Sequence, residues 1–541
     1  MRPAGRAELE SLYFTYPQFD APRDRASLSK EIPVAIAGAG PVGMTAALTL
    51  ARYGIPSVLL EKKSTFNDGS RAICVARSSY NLFQRLGIEK PFLDKGLPWV
   101  SGRSFFRGRQ ILEFFMADSP DEKYRPMYNL EQQYIEAFLY DAVAKSDLID
   151  MRWQSEVTGV ADKADGVTLS IEDPHGTYKL PAQWLLAADG AHSPIRTMRG
   201  YRLNGENYEG RYVIADIRLE RDCKVERFAL FDPDSRPGGT VLIHQQPDNI
   251  WRIDYQLRDG EAEKKALQED AIRAGVAAAL SEVGFNEPWE LEWWSVYSAN
   301  TLLLDDYRDG RVFFIGDSAH IVPIFGVRGL NNGFTDAHNI GWKLGYVLNG
   351  QADPAILDSY TPERRGATLD VFKNASKSAR FMTPHSRGYR VMRDAALSLA
   401  LDHPFAGEFA NPRNMTPYTY AASPLTQRLM LPENGGPVPG AAAPNVQLED
   451  GFLFDRLGPD FTLLAFGEIP GLDLRQRDLG MLTLLQQPAE GPVARAYCAG
   501  QGGAYLIRPD LHVAARWPHA DGSKIAEFMK QVLAGGARPN D

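Results

Sequence analysis

Gly38, Gly40 and Gly43 are spaced as Gly-x-Gly-x-x-Gly, and Glu61 follows 18 residues after the last of them. That set suits a dinucleotide: Gly38 permits a tight turn, Gly40 lets a pyrophosphate approach the backbone, and Gly43 lets a helix pack on the preceding strand. The N-terminus of the helix that follows offers free N–H groups and a partial positive charge to phosphate. Glu61 can accept hydrogen bonds from both hydroxyls of an adenosine ribose. Its charge repels a 2′-phosphate, so the adenosine expected is that of FAD or NAD rather than NADP. Two more acids stand at turns. Asp189 lies in Ala188-Asp-Gly-Ala-His-Ser-Pro-Ile-Arg196, where Ser193 is a good N-cap and Pro194 a good first helical residue. Asp317, in Gly316-Asp-Ser-Ala-His320, can bind a chain of polyol hydroxyls. Backbone N–H groups near Gly329, Leu330 and Asn331 can face a developing anion at a helix start.

The elements that place these residues follow from the local pattern. Val34–Ala37 is a short apolar strand, Met44–Tyr53 reads as a helix ended by Gly54, and Ser57–Leu60 is a strand with Glu61 at its tip, which makes a βαβ unit. Trp184–Ala188 leads into Asp189, and Arg311–Ile315 leads into Gly316-Asp317. Between them, Tyr212–Leu219, Arg227–Phe231, Thr240–His244 and Trp251–Leu257 alternate and are separated by Pro, Gly and Asp, which predicts an inserted antiparallel sheet. Helical patterns run from Gly333 to about Leu401, and Pro432–Gly440 is the clearest linker.

Composition sets the outer bounds. The 541 residues allow two to four domains. A net charge of -9 argues against nucleic acid and anionic membrane surfaces. No apolar run approaches the roughly 20 residues of a bilayer span, and residues 1–30 read as a polar arm with no secretory signal. Three scattered cysteines make neither a disulfide framework nor a metal cluster, so no metal is expected and the location expected is cytoplasmic.

Taken in order, Gly38–Gly43, Asp189-Gly190 and Gly316-Asp317 resemble the three fingerprints of the single-component flavin aromatic hydroxylases, the group A flavoprotein monooxygenases whose prototype is para-hydroxybenzoate hydroxylase. Ser70-Arg71-Ala72 is similar to the family's arginine near the FAD pyrophosphate, and Asn129-Leu-Glu-Gln132 to the segment whose glutamine contacts the flavin side. The resemblance covers roughly residues 31–380. It implies FAD held by Gly38, Gly40, Pro41, Val42, Gly43, Glu61, Lys62, Arg71, Gln132, Val157, Asp189, Gly316, Asp317, Gly329, Leu330 and Asn331. The sequence departs from the family where two prolines are usual and Pro323-Ile324 stands, and where Gly-Gly-Gln-Gly is frequent and Gly326-Val-Arg-Gly329 stands. Arg328 either favours an anionic reduced flavin or substrate, or forms an ordinary ion pair.

The implied fold is a Rossmann-like FAD-binding α/β domain (31–200 and 300–380) with an inserted antiparallel sheet domain for substrate (201–299). A helical segment and linker (381–436) and a thioredoxin-like domain (437–541) follow, after the arm at 1–30. The tail has no Cys-x-x-Cys; Cys498 reads as buried packing, and homodimer contacts are expected there. The implied activity is hydroxylation of a phenolic ring by O2 through a flavin hydroperoxide, with NADH or NADPH binding transiently. Pro323 and Arg328 are the residues expected beside the reaction. His244, Arg252, Tyr255 and Ile324 are substrate candidates, although Arg252, Asp254 and Gln256 share one strand face and Tyr255 points the other way. A flavin halogenase is the first alternative, but Trp289–Trp294 does not match that family's Trp-x-Trp-x-Ile-Pro element. An NAD-dependent dehydrogenase leaves the Gly316-Asp317 and Gln132 segments unexplained.

Overall fold

The computed structural model describes residues 10–24, 31–67, 69, 72–258, 260–322, 328–382, 384, 386–411, 417–428, 435–475 and 480–536. Pro323, Ile324 and Arg71 therefore lie outside the described residues.

The first sheet runs Arg308–Asp309, Val312–Phe314, Gly176–Ala187, Ile32–Ala37, Ser57–Leu60, Ile149–Arg152, with two antiparallel strands (Glu156–Lys163, Gly166–Asp173) off the path. The strands from Val312–Phe314 to Ile149–Arg152 are parallel. Val34, Ala35 and Ile36 have no exposed surface, as expected of a parallel strand covered on both faces. The Pro41–Arg52 helix starts with Pro at its first turn and packs on the Gly329–Leu348 helix. Gly333, Gly341 and Gly345 permit that approach, because a Cβ at each is blocked by Val42, Thr49 and Tyr53 respectively.

The second sheet has eight strands, in the order His320–Ile321, Trp289–Leu303, Asn204–Leu219, Ile250–Gln256, Thr240–Gln245, Arg227–Phe231, Ser101–Phe106, Arg109–Phe115. The four alternating stretches expected from the sequence form its middle. Two differences stand out. The sheet recruits residues 101–115, placed by the sequence reading inside the FAD domain, through parallel pairing of Arg227–Phe231 with Gly102–Phe106. Residues 10–24 pack on the rest of the chain: Phe19 stacks on Trp153 at 4.3 Å and the Leu12 N–H donates to Glu292.

One face of this sheet is sealed by the Glu269–Glu282 helix, with Ile272, Val276 and Leu280 against Ile253 and Tyr255. The other face looks toward a three-stranded sheet (Cys74–Ala76, Leu97–Trp99, Met127–Asn129) and the Arg387–Ala400 helix.

Beyond the linker, Thr483–Gln487, Thr462–Phe466, Gly503–Ile507 and Val513–Trp517 form a four-stranded sheet with helices Pro492–Tyr497 and Gly522–Leu533. It docks through a wholly buried charge network. Arg508 donates to both oxygens of Glu363 (2.6 and 2.9 Å) and both of Asp510 (2.9 and 2.6 Å), and Lys343 donates to Glu363 at 2.7 Å. Cys498 is exposed, not buried as expected: it caps its helix in a left-handed conformation, which turns the thiol outward. Among the described residues no helix is long and apolar enough to cross a membrane, and no group of His, Cys, Asp and Glu could hold a metal.

Candidate active site

The glycine turn has the geometry its spacing predicts. Gly38 has φ +101°, and a Cβ there collides with the Ala188 carbonyl; one at Gly43 collides with the Gly38 carbonyl. Gly40 is the opposite case: nothing lies within 4 Å of the position its Cβ would take. It is also the N-cap of the Pro41–Arg52 helix and supplies no side-chain cap, so the helix end faces open space. The Ala39 N–H donates to Glu61 at 2.9 Å and the Lys63 N–H at 3.0 Å, which fixes the carboxylate at the strand tip beside that space. Lys62 is exposed next to it.

The two acidic turns are tied together. Arg196 donates to the Ser318 carbonyl at 2.9 Å and to the Ala191 carbonyl at 2.6 Å. Asp189 accepts from the Ile195 N–H at 3.0 Å while its other carboxylate oxygen is buried without a partner, and burial raises its pKa. Asp317 is exposed on a short 3₁₀ turn, and Gly316, at φ +61°, packs on Val42 and donates its N–H to Asp336.

At the third motif, Gly329 opens the helix with nothing within 4 Å of its absent Cβ. Leu330 packs into the main core, and the Asn331 side chain accepts from the Ala76 N–H (2.9 Å) and Ser79 (2.7 Å) and donates to the Cys74 carbonyl. The side chains of these two are thus engaged within the protein, which leaves their backbone groups as what they could offer a ligand. Val157 likewise buries its side chain in the core. Gln132 donates to Glu136 at 2.8 Å and accepts from the Ala72 N–H. Arg328 is buried at the helix N-cap; burial lowers its pKa, and Asp370 is the charge that opposes this.

An open phosphate cradle, an orphaned Asp189 oxygen, an exposed Asp317 and an open helix start fit FAD. Asp317→Ala is expected to weaken FAD retention by about 1–2 kcal/mol, roughly tenfold; FAD content after dialysis checks it.

The substrate candidates separate by face. His244 pairs with Arg252 on one side and Arg227 on the other, and Arg252 pairs with Asp216, so the four share a face. Arg252 grips Asp216 through two 2.8 Å bonds. Tyr255 points to the opposite face, as strand alternation predicts: Arg236 lies 4.5 Å from its ring centroid and Gly275 packs on its hydroxyl, so it does not share a face with those four.

Beside this row stand two acids that the motifs did not point to, Asp254 on the same strand face and Glu131 at the N-cap of the Gln132–Val143 helix. Asp254 is buried with one oxygen unpartnered, and burial, offset in part by Arg252, pushes its pKa up to about 7. Glu131 is wholly buried with both oxygens unpartnered and is held well above the usual carboxylate range by desolvation. Burial first, then Arg227 and Arg252, hold the His244 pKa well below the imidazole range, so this ring is neutral at pH 7. The available signal was strand alternation: Arg252 and Asp254 sit two apart, but the sequence does not say which face turns inward.

Comparisons with known proteins agree with this geometry. Residues 31–375 match the family described as FAD binding domain. A 3-(3-hydroxy-phenyl)propionate/3-hydroxycinnamic acid hydroxylase from Klebsiella pneumoniae (strain 342) is 30% identical over 458 residues, 82% of this chain and 80% of that one. A second hydroxylase of that name, from Burkholderia vietnamiensis (strain G4 / LMG 22486), is 28% identical over 84% of this chain and 82% of its own. Among solved structures, the flavin-dependent monooxygenase PieE in complex with FAD and substrate has a TM-score of 0.76 at 23% identity, covering 93% of this chain and 99% of that one. Aklavinone-11 hydroxylase with FAD and aklavinone gives 0.76 at 22%, with the same coverage. Fold, matched domain and hydroxylase relatives converge, and the chain belongs to the FAD-dependent aromatic hydroxylases of the group A flavoprotein monooxygenases.

Proposed function

We propose that the protein hydroxylates a phenolic ring with O2 and NADH or NADPH. The observation that carries this reading is the row Arg227, His244, Arg252 and Asp216, with Asp254 beside it, on the one sheet face that looks toward the Cys74–Ala76 strand and the FAD motifs. When bound, FAD supplies the redox and oxygen chemistry. The chain's own residues do the rest. Trp99 and Cys74 both donate to Asn129, which donates to the Gln245 carbonyl at 2.7 Å, so the small sheet is fixed as a roof that excludes water. Asp254 accepts the phenol proton at its free oxygen and makes the ring more phenolate-like and electron-rich. The relatives' names support a phenolic substrate.

Asp254 must be ionised to accept, so the rate is expected to rise with pH through about 7 and then level off. Asp254→Asn is expected to lower kcat by roughly a hundredfold or more and to remove that step. A kcat–pH profile with 3-(3-hydroxyphenyl)propionate checks both. An unaltered profile in the variant overturns the assignment.

The domain assignment of the tail is part of the same proposal. The sheet order, with Thr462–Phe466 parallel to Thr483–Gln487 and antiparallel to Gly503–Ile507, supports a thioredoxin-like unit without redox cysteines, able to support homodimer contacts. Three free cysteines suit the reducing cytoplasm.

A further inference from the structure

Two neighbouring residues of the Tyr360–Met382 helix face different tasks. Glu363 closes the docking network with Arg508 and Lys343. Arg364, buried beside it, directs its guanidinium elsewhere. Its Nε donates to Asp336 at 2.6 Å, one outer nitrogen donates to the Tyr420 hydroxyl at 2.8 Å, and the other donates to the Asn332 carbonyl at 3.3 Å.

Each of these partners leads somewhere. Asp336 has no exposed surface, and it also accepts from His320 Nε2 at 2.6 Å and from the Gly316 N–H at 3.0 Å. Burial pushes its pKa up, but Arg364 and His320 pull it down by more, so it stands as a carboxylate. The Gly316 N–H is thereby fixed in the turn that presents Asp317, and Val42 packs against that turn from the other side. Asn332 lies in the first turn of the Gly329–Leu348 helix, the third FAD motif. Tyr420 leads the other way, to the C-terminal unit. Its ring stacks on His512 with centroids 4.2 Å apart, and its N–H donates to the Gly440 carbonyl at 2.8 Å. A continuous buried line of hydrogen bonds therefore joins the C-terminal unit to two FAD motifs, and it runs apart from the charges that dock the unit.

We infer that the C-terminal unit is a cofactor-positioning domain: through Tyr420, Arg364 and Asp336 it holds the Gly316-Asp317 turn and the start of the Gly329–Leu348 helix in the geometry that retains FAD. Tyr420 and Arg364 are positioning residues, acting through Asp336 and Asn332. The role concerns the cofactor and is independent of which ring is hydroxylated.

The test follows FAD release from the full-length holoprotein on dilution, read as the recovery of free-flavin fluorescence, beside the thermal unfolding midpoint. Tyr420→Phe removes the hydroxyl and keeps the ring stack on His512. Tyr346→Phe is the control: it removes a bond of the same kind, 2.9 Å to Asp460, between the C-terminal unit and the far end of the same helix. FAD release is expected to accelerate roughly fivefold or more in Tyr420→Phe and by less than about twofold in Tyr346→Phe, the scale of one neutral hydrogen bond. Arg364→Lys keeps a charge opposite Asp336 and cuts the link to Tyr420. Adding Tyr420→Phe to it is expected to speed release no further, because both changes cut one line. Wild-type release in Tyr420→Phe overturns the inference, as does equal acceleration in Tyr420→Phe and Tyr346→Phe. Accelerations that multiply in the double variant overturn it too. Release rates that merely track the unfolding midpoint across all variants mark a structural role alone and have the same consequence.

Discussion

Gly43→Ala is expected to give a colourless protein that has lost nearly all its FAD. The added Cβ falls inside the contact radius of the Gly38 carbonyl oxygen and also meets the Ala188 side chain. Neither the carbonyl nor Ala188 can step aside. The Gly38 N–H is bonded to the Leu60 carbonyl at 2.7 Å, and the Ala188 N–H to the Ala37 carbonyl at 2.8 Å. Relief must come from the Pro41–Arg52 helix, which moves away from the strand and opens the phosphate cradle. The overpacking alone costs about 1–3 kcal/mol, and displacement of the helix N-terminus removes the donors aimed at phosphate. Gly40→Ala is the control, since its Cβ meets nothing in the protein. It is expected to keep the fold while obstructing the pyrophosphate. The visible absorbance of the purified variants and their thermal unfolding midpoints check both statements.

The second large effect concerns stability. Arg508→Gln is expected to destabilise the protein by about 3–5 kcal/mol, because it leaves Glu363 and Asp510 with more buried negative charge than Lys343 can offset. Glu363→Gln is expected to cost a similar amount by leaving the cations in excess. The double variant is expected to cost less than the sum, since the charges removed oppose each other. Arg508 holds the Glu363 carboxyl well below the usual range, against the desolvation that pushes it up. A carboxylate with a depressed folded pKa stabilises fully above its unfolded value, about 4.3, and that contribution is lost as pH falls below it. Wild-type stability is therefore expected to drop below pH 4.5 more steeply than that of Glu363→Gln. Urea unfolding at pH 4 and pH 7 reads the difference.

The FAD motifs were legible in the sequence because each is local. A glycine turn, a helix start and an acid at a strand tip are specified by neighbouring residues, and Gly38, Gly43, Glu61 and Asp317 stand where their spacing puts them. The substrate side was less legible because it is built from long-range pairing. Nothing near Arg227 announces that its strand pairs with Gly102–Phe106, more than a hundred residues earlier, or that its inward face also carries Asp216 and Asp254. Strand alternation separated Tyr255 from Arg252, but the choice of inward face depended on the Glu269–Glu282 helix covering the other side. The Arg508 network was invisible for the same reason: Glu363 and Arg508 are 145 residues apart and meet only when the C-terminal unit docks.

The most direct test of the central claim is isotopic. The purified, FAD-loaded protein is turned over with NADH or NADPH and 3-(3-hydroxyphenyl)propionate under ¹⁸O2, and the product is weighed by mass spectrometry. The expected product is a hydroxylated ring carrying a single ¹⁸O atom, formed in step with nicotinamide oxidation. Nicotinamide oxidation that yields only hydrogen peroxide with this phenol and with other phenols, or a product whose new oxygen comes from water, contradicts it.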